Sequence, residues 1–175
     1  MGLQLIFVVE TNKKCNSDWI YIKDTIEHFY QYERTQIKLS VVYMDGKGKY
    51  KQKEKQINQL SKQYNSQTKN NQTKVMYCFD CDNYDTNSED LHFLETAKSY
   101  CDRKGYEFVW FCKDIEQVFI GQRVSNKVKQ SAAVRFKKQN QILEVDKNKF
   151  LSSTYKIGYS NMMIVLDKIG ELNRI

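Results

Sequence analysis

Proline is absent from this chain of 175 residues, and histidine occurs only twice. The absence of proline reflects in part a coding bias, because lysine, asparagine, glutamine and tyrosine are common, and it decides no structural question. His28 and His92 lie in predicted helices without the spacing of metal ligands. The two histidines also do not support a histidine-based nucleophilic triad, so the chemistry must come from other side chains.

No run of apolar residues approaches the ~20 residues of a membrane-spanning helix. The apolar start from Leu3 to Val9 is too short for a signal peptide and lacks a cleavage pattern. The cysteines are odd in number and scattered, at positions 15, 78, 81, 101 and 112. We therefore expect a cytoplasmic protein with free thiols and no association with a membrane.

The spacing Cys78-x-x-Cys81 matches one half of a zinc site, or a redox motif. A zinc site needs a second pair of ligands, and neither Cys101 nor Cys112 provides one. Cys78 lies inside an apolar run, where a small buried side chain is expected. We therefore interpret this motif as packing and not as a metal site.

Positive charge is abundant, with 28 lysines and arginines against 21 acidic residues and a net charge of +7. The hydrophobic share of 41% and the aromatic share of 13% are typical of one globular domain of ordinary size. A basic surplus favours polyanionic partners such as nucleic acid. A lysine-rich composition that serves solubility explains the charge equally well, and both interpretations stay open.

Short apolar runs alternate with helical patterns along the chain. The predicted strands cover residues 3–9, 37–44, 74–79 and 106–111, and the predicted helices cover residues 18–33, 50–63, 89–103, 114–120, 125–140 and 161–172. This alternation predicts an α/β fold with a mostly parallel central sheet of about four strands, flanked by helices on both faces. We expect an α/β core over residues 1–121 and a helical C-terminal extension over residues 122–175, packed on the same domain.

Acidic side chains follow the C-terminal ends of the predicted strands. Glu10 follows the first strand, Asp80, Asp82 and Asp85 follow the third, and Glu116 lies in the short helix after the fourth. Ligands bind at this edge of parallel sheets, and clustered carboxylates suit Mg²⁺ or Mn²⁺. Asp80 and Asp82 would point the same way in an extended backbone and could hold one metal or bridge two. The alternative is an acidic loop cluster that nearby lysines balance.

Two basic segments are candidates for binding the phosphate backbone of a nucleic acid through charge. Their residues are Lys47, Lys49, Lys51 and Lys53 in the first segment, and Lys127, Lys129, Arg135, Lys137 and Lys138 in the second. Lys156 is a candidate for stabilising charge in a transition state. The loop from Asp45 to Lys49 either cradles a phosphate or is a flexible turn.

The order of these motifs resembles the Toprim domain. Val8-Val9-Glu10 is followed by a helix, a second strand and then Phe79-Asp80-Cys81-Asp82, whereas the Toprim pattern has a Glu after its first strand and an Asp-x-Asp after a later one. The resemblance is closest to small RloB-like and OLD-type Toprim proteins, in which an aromatic strand leads into a short helix with another Glu, matched here by Glu116. It covers residues 3–121, and Thr11 stands where the family usually has glycine.

This resemblance implies a Rossmann-like fold and Mg²⁺-dependent cleavage of DNA or RNA, in phage defence or a mobile element. Glu10, Asp80, Asp82 and Asp85 would hold the metal, with Glu116 as a further catalytic residue. A second hypothesis is a non-catalytic sensor module that binds nucleic acid or a protein partner through a degenerate site. A third is nucleotide binding by the loop from Asp45 to Lys49. A homodimer is compatible with each of them.

Overall fold

A four-stranded, wholly parallel sheet forms the centre of the computed structural model, which describes residues 1–175. The strands are β1 (Leu3–Val9), β2 (Tyr30–Gln31), β3 (Ile37–Tyr43), β4 (Gln72–Asp80), β5 (Glu107–Phe111) and β6 (Asn173–Arg174). The central sheet has the order β3-β1-β4-β5, and β2 pairs with β6 in a separate antiparallel ladder.

Helices cover both faces of the central sheet. They are α1 (Ser17–Phe29), α2 (Glu54–Asn65), α3 (Ser88–Lys104), α4 (Ile115–Phe119), α5 (Lys129–Lys138) and α6 (Met162–Leu166). Helices α1, α4, α5 and α6 contribute to the core on one face, and α2 and α3 to the core on the other. The predicted α/β fold with a parallel sheet is therefore confirmed. None of the helices combines the length and the apolar character that crossing a bilayer requires.

The central position of β1 in the sheet explains why its sequence is apolar without interruption. Leu5, Phe7 and Val9 point into the core under α1, while Ile6 and Val8 point into the core under α2 and α3. A strand in the middle of a parallel sheet has both faces covered, so both sets of alternating side chains must be apolar.

Residues after position 121 share the core of the residues before it. Phe136, Ile142 and Phe150 belong to the same buried cluster as Phe7 and Tyr21. The ring of Phe119 lies 5.7 Å from that of Phe136 and 5.0 Å from that of Phe150, centroid to centroid. The C-terminal residues are therefore part of one hydrophobic core with β1 and α1.

The ends of two predicted helices differ in the structure. Helix α1 stops at Phe29 instead of residue 33, because Tyr30–Gln31 pairs with Asn173–Arg174. The last helix covers only Met162–Leu166, whereas the prediction continued it to residue 172. Leu172 is buried, as the helical pattern predicts, but the chain between α6 and Leu172 consists of turns and not of helix. Pairing between distant segments overrides the local helical pattern here.

Two other predicted helices begin with a turn of 3₁₀-helix. The segment predicted as a helix over residues 50–63 starts as a 3₁₀-helix at Lys47–Lys53 and continues as α2. The segment predicted over residues 125–140 starts as a 3₁₀-helix at Asn126–Val128 and continues as α5. Both starts lie at the C-terminal edge of the sheet, which shapes the site described below.

Two cysteines predicted to be free thiols are paired. Asp80 of β4 is in register with Phe111 of β5, so the next residues, Cys81 and Cys112, are neighbours across the strands. Their Cα atoms are 5.0 Å apart, and their sulfurs are joined as a disulfide. The sequence could not predict this pair because it does not show that β4 and β5 are adjacent or what their register is. Cys78 is buried, as its interpretation as a packing residue predicted.

Candidate functional site at the sheet edge

A cavity of about 500 Å³ opens at the C-terminal edge of the central strands. Its wall contains four carboxylates and one ammonium group. The lining residues are Glu10, Thr11, Asn12, Cys15, Asp18, Asp45, Gly46, Asp80, Asn126 and Lys129. Only one of these residues is hydrophobic, so the cavity suits a polar or charged ligand.

The topology of the sheet brings two of the acids together. Glu10 follows β1 and Asp80 ends β4, and these two strands are paired in parallel. The backbone amide of Asp80 donates to Glu10 Oε1 over 2.9 Å. Asp80 Oδ1 in turn accepts from the backbone amide of Ile115 over 2.9 Å. These bonds fix both carboxylates at the junction of β1, β4 and α4.

Asp18 is a member of the cavity wall for which the sequence favoured an interaction with the helix dipole and left contact with the metal region as the alternative. It lies in the first turn of α1, where a carboxylate is expected for interaction with the helix dipole alone. The residue is only 6% exposed, and its Oδ1 makes no hydrogen bond. The one signal in the sequence was an acid eight positions after Glu10, and such a spacing predicts contact only once the path of the loop is known.

Burial in the cavity raises the pKa values of Glu10, Asp18 and Asp80. Burial, with the charges of Asp18 and Asp82, raises the pKa of Glu10 from 4.5 to about 8. Burial also raises the pKa of Asp18 from 3.8 to about 6, although the charge of Lys129 opposes it. The pKa of Asp80 is well above its ordinary value because of burial and of the charges of Glu10 and Asp18. Perturbed carboxyl groups in one cavity are typical of functional sites.

Glu116 lies beneath this cavity and not in its wall. The side chain is fully buried in α4, and neither carboxylate oxygen has a hydrogen-bond partner. Lys129 Nζ lies 3.7 Å from Glu116 Oε2. Burial raises the pKa of Glu116 to about 7, with the charge of Lys129 opposing. Burial would lower the pKa of Lys129, but the charges of Glu116, Asp80 and Asp18 raise it. Lys129 is therefore the internal counter-ion of the acidic cluster.

The other two predicted metal ligands face lysines. Asp82 adopts a left-handed backbone conformation with φ of 49°, so it does not continue the extended strand of Asp80 as expected. Its carboxylate forms an ion pair with Lys47. Asp85 forms an ion pair with Lys113, with Nζ and Oδ1 3.2 Å apart. Neither aspartate lines the cavity, although the charge of Asp82 helps to raise the pKa of Glu10.

The predicted basic residues are divided between the two faces of the sheet. The first segment begins beside Gly46 and the second beside Asn126, and both of these residues line the cavity. The following residues diverge, because Tyr50 packs in one core and Phe136 in the other. Lys156 lies elsewhere, exposed and 4.1 Å from the centre of the Tyr159 ring.

Ion pairs occupy several lysines of these segments. Lys49 pairs with Asp45 at 3.5 Å, and Lys47 pairs with Asp82. In the second segment, Lys137 lies 3.8 Å from a carboxylate oxygen of α1. The lysines of the loop from Asp45 to Lys49 are therefore balanced by Asp45 and Asp82, and this arrangement favours the interpretation of the loop as a turn.

The donor groups of the cavity fit a hard divalent cation. Carboxylate oxygens are the ligands that Mg²⁺ and Mn²⁺ take from proteins. The unpartnered Oδ1 of Asp18 and the raised pKa values of Glu10 and Asp80 show that negative charge here is under-compensated. No group of three or more His, Cys, Asp or Glu side chains is spaced to hold an ion as the side chains stand. Side-chain rotation would have to bring the oxygens of Glu10, Asp18 and Asp80 onto one ion.

Comparisons of the chain with protein-family models, with curated proteins and with solved structures found no match in any of the three.

We expect the unfolding temperature of the protein in EDTA to fall as the pH rises from 5 to 8. The folded pKa values of Glu10, Asp18 and Glu116, about 8, 6 and 7, exceed their ordinary values. The folded state therefore binds more protons than the unfolded state across this range. The resulting stabilisation is complete below about pH 4 and is lost as the pH rises through the folded pKa values. Thermal unfolding at several pH values measures it.

The variant Glu10→Gln should make this dependence on pH shallower, because the amide does not titrate. Glu89→Gln is the matched control, since Glu89 is exposed in the first turn of α3. An unfolding temperature that rises between pH 5 and 8 in EDTA contradicts the assignment of raised pKa values.

Proposed function

We propose that this chain is a Toprim-like, Mg²⁺-dependent phosphodiester-cleaving enzyme that acts on DNA or RNA. The observation that carries the proposal is the meeting of Glu10, Asp18 and Asp80 in one polar cavity at the C-terminal edge of a parallel sheet. Crowded, buried carboxylates are costly unless a cation neutralises them, and phosphoryl transfer uses such cations.

Glu10, Asp18 and Asp80 would hold the ion. When bound, Mg²⁺ supplies neutralisation of the negative charge on the attacked phosphate and lowers the pKa of water. Glu10 and Asp80 are already oriented, because each carboxylate accepts a backbone hydrogen bond. Lys129 lines the same cavity, and its ammonium group would contact a phosphate oxygen of a bound substrate.

The net charge of +7 supports a polyanionic substrate. The two basic segments begin beside Gly46 and Asn126, which line the cavity, and continue along the two faces of the sheet, and Lys129 of the second segment lines the cavity itself. Charge contacts of this kind bind the backbone without reading the base sequence.

A second candidate is a non-catalytic module that binds nucleic acid or a protein through the same surface. It is favoured by the number of acids that already have lysine partners, namely Asp82 with Lys47, Asp85 with Lys113, and Glu116 with Lys129. Such internal pairing is what a structural acidic edge would have. Because the two candidates differ in chemistry and not in binding, an assay for cleavage separates them.

The test is incubation of the purified chain with labelled single-stranded and double-stranded DNA and RNA, in Mg²⁺, Mn²⁺, Ca²⁺ or EDTA. The expected result is cleavage of at least one substrate in Mg²⁺ or Mn²⁺ and none in EDTA, analysed by denaturing gel. Binding of the same oligonucleotides without cleavage under every metal and pH condition would favour the non-catalytic module and contradict the enzyme.

A further inference from the structure

A second cleft, of about 360 Å³, lies on the face of the sheet that α2 and α3 cover. Four residues line it: Lys51, Tyr100, Arg103 and Lys104. Lys51 comes from the 3₁₀-helix before α2, and the other three come from the last turns of α3. Because the two segments are about 50 positions apart, only the fold brings these three cations together.

Aromatic rings hold two of the cations over the cleft. Lys51 Nζ lies 5.7 Å from the centre of the Tyr50 ring and 5.9 Å from that of Tyr100. Lys104 Nζ lies 5.9 Å from the centre of the same Tyr100 ring. Tyr100 is only 6% exposed, so its ring is a support for cations and not a surface on which a base could stack.

One acid faces this cleft, and its bonding capacity is already in use. Glu54 Oε1 lies 3.4 Å from Lys104 Nζ and accepts from the Tyr106 hydroxyl over 2.8 Å, while Glu54 Oε2 accepts from the Tyr100 hydroxyl. Burial would raise the pKa of Glu54, but these hydroxyl bonds and the charge of Lys104 lower it. Glu54 therefore stays charged and cancels one cation.

The other two cations of the cleft have no carboxylate partner. Arg103 makes only one hydrogen bond, from Nε to the carbonyl oxygen of Ser99 over 3.4 Å, which leaves its remaining donors free. Lys51 makes only the ring contacts. The open cleft therefore contains one guanidinium group and one ammonium group without carboxylate partners. Such a pair matches the charge and the hydrogen-bonding needs of a phosphate.

We propose that this cleft binds a phosphate of the nucleic-acid backbone, as a contact point separate from the acidic cavity. The proposal rests on the proposed function only in taking a nucleic acid as the partner, and it requires no cleavage. Lys47 lies 4.0 Å from Asp90 at the start of α3 and pairs with Asp82 at the sheet edge. Arg103 lies 13 residues, or about 20 Å along α3, after Asp90, whereas Lys51 follows Lys47 by four residues of the 3₁₀-helix, so the cleft extends away from that edge.

The test is the affinity of the double variant Lys51→Ala, Arg103→Ala for a fluorescein-labelled 20-mer duplex in EDTA, by anisotropy at several salt concentrations. We expect about tenfold weaker binding at 0.1 M salt and a salt slope shallower by about two, since each phosphate contact contributes about one. The control Lys69→Ala, Lys168→Ala removes the same charge from exposed positions outside the cleft.

Three outcomes overturn the proposal: a wild type that binds no 20-mer, a double variant that matches the control, or polyglutamate that displaces the 20-mer as well as unlabelled duplex does at equal charge. The last would assign the cleft to acidic peptides. Because EDTA removes the metal, a double variant that loses binding supports the cleft even if no substrate is cleaved. If the wild type cleaves nucleic acid and the double variant binds the 20-mer as the control does, the proposal for the cleft is contradicted and the proposed function is not. Both altered side chains are exposed, and unchanged thermal unfolding shows that the fold is retained.

Discussion

Replacing Asp80 with asparagine is expected to lower Mg²⁺-dependent cleavage by about 100- to 1000-fold, which corresponds to about 3–4 kcal/mol in the barrier. The amide keeps an oxygen that accepts the hydrogen bond from the Ile115 amide, so the fold of the junction is retained. What it loses is the negative charge that a divalent cation needs. Single-turnover cleavage of a labelled oligonucleotide, at saturating enzyme, measures the loss directly.

The matched control is Asp102→Asn, which changes an exposed aspartate paired with Lys98 on α3. It should leave the rate within about twofold of the wild type. Asp85→Asn tests the predicted role of Asp85 as a metal ligand, because the sequence assigned Asp85 to the metal whereas the structure pairs it with Lys113. A rate for Asp80→Asn equal to that of wild type would remove the acidic cavity from the mechanism.

Replacing Phe79 with alanine is expected to lower the free energy of unfolding by about 3–5 kcal/mol. The ring is fully buried and packs against four other rings, those of Tyr50, Tyr77, Phe93 and Phe108, at centroid distances of 5.6–5.9 Å. Its removal leaves a cavity that these large, stiff neighbours cannot fill by small movements. Denaturant unfolding measures the change, and the unfolding temperature should fall by about 6–20 °C.

Val134→Ala is the control for this experiment, because Val134 is 47% exposed on α5 and its truncation opens no internal cavity. Its effect should stay within about 0.5 kcal/mol of the wild type. If Phe79→Ala unfolds at the same denaturant concentration as Val134→Ala, the aromatic cluster does not have the packing described here.

The positions of the central strands could be predicted from their apolar runs, most clearly for β1, which is buried on both faces. An uninterrupted apolar run such as Leu3–Val9 is the direct chemical consequence of that burial. The end of α3 could also be predicted from the local sequence, because Gly105 follows the helix and adopts φ of 69°, a conformation that favours glycine. The ends of α1 and α6 could not be predicted, because β2 and β6 pair across more than 140 positions of sequence.

The candidate site also has features that the sequence predicts and features that it does not. That Glu10 and Asp80 meet could be predicted, because acids after neighbouring parallel strands share one edge. The separation of Asp82 from them could not, because it depends on one left-handed residue and on Lys47 reaching it from another segment. The sequence could not decide between the helix dipole and the metal region for Asp18, because its contact with the cavity depends on the path of the loop between β1 and α1.

The sequence alone therefore determined the α/β class, the strand that ends in Asp80 and the sign of the surface charge. These properties follow from hydrophobic periodicity and composition, which are local and additive. Only the tertiary structure decided that Asp18 and Lys129 complete the cavity, that Asp85 faces Lys113, and that Cys81 and Cys112 are neighbours. These contacts depend on strand order, register and loop direction, which are set by the packing of the whole chain and not by any one segment of it.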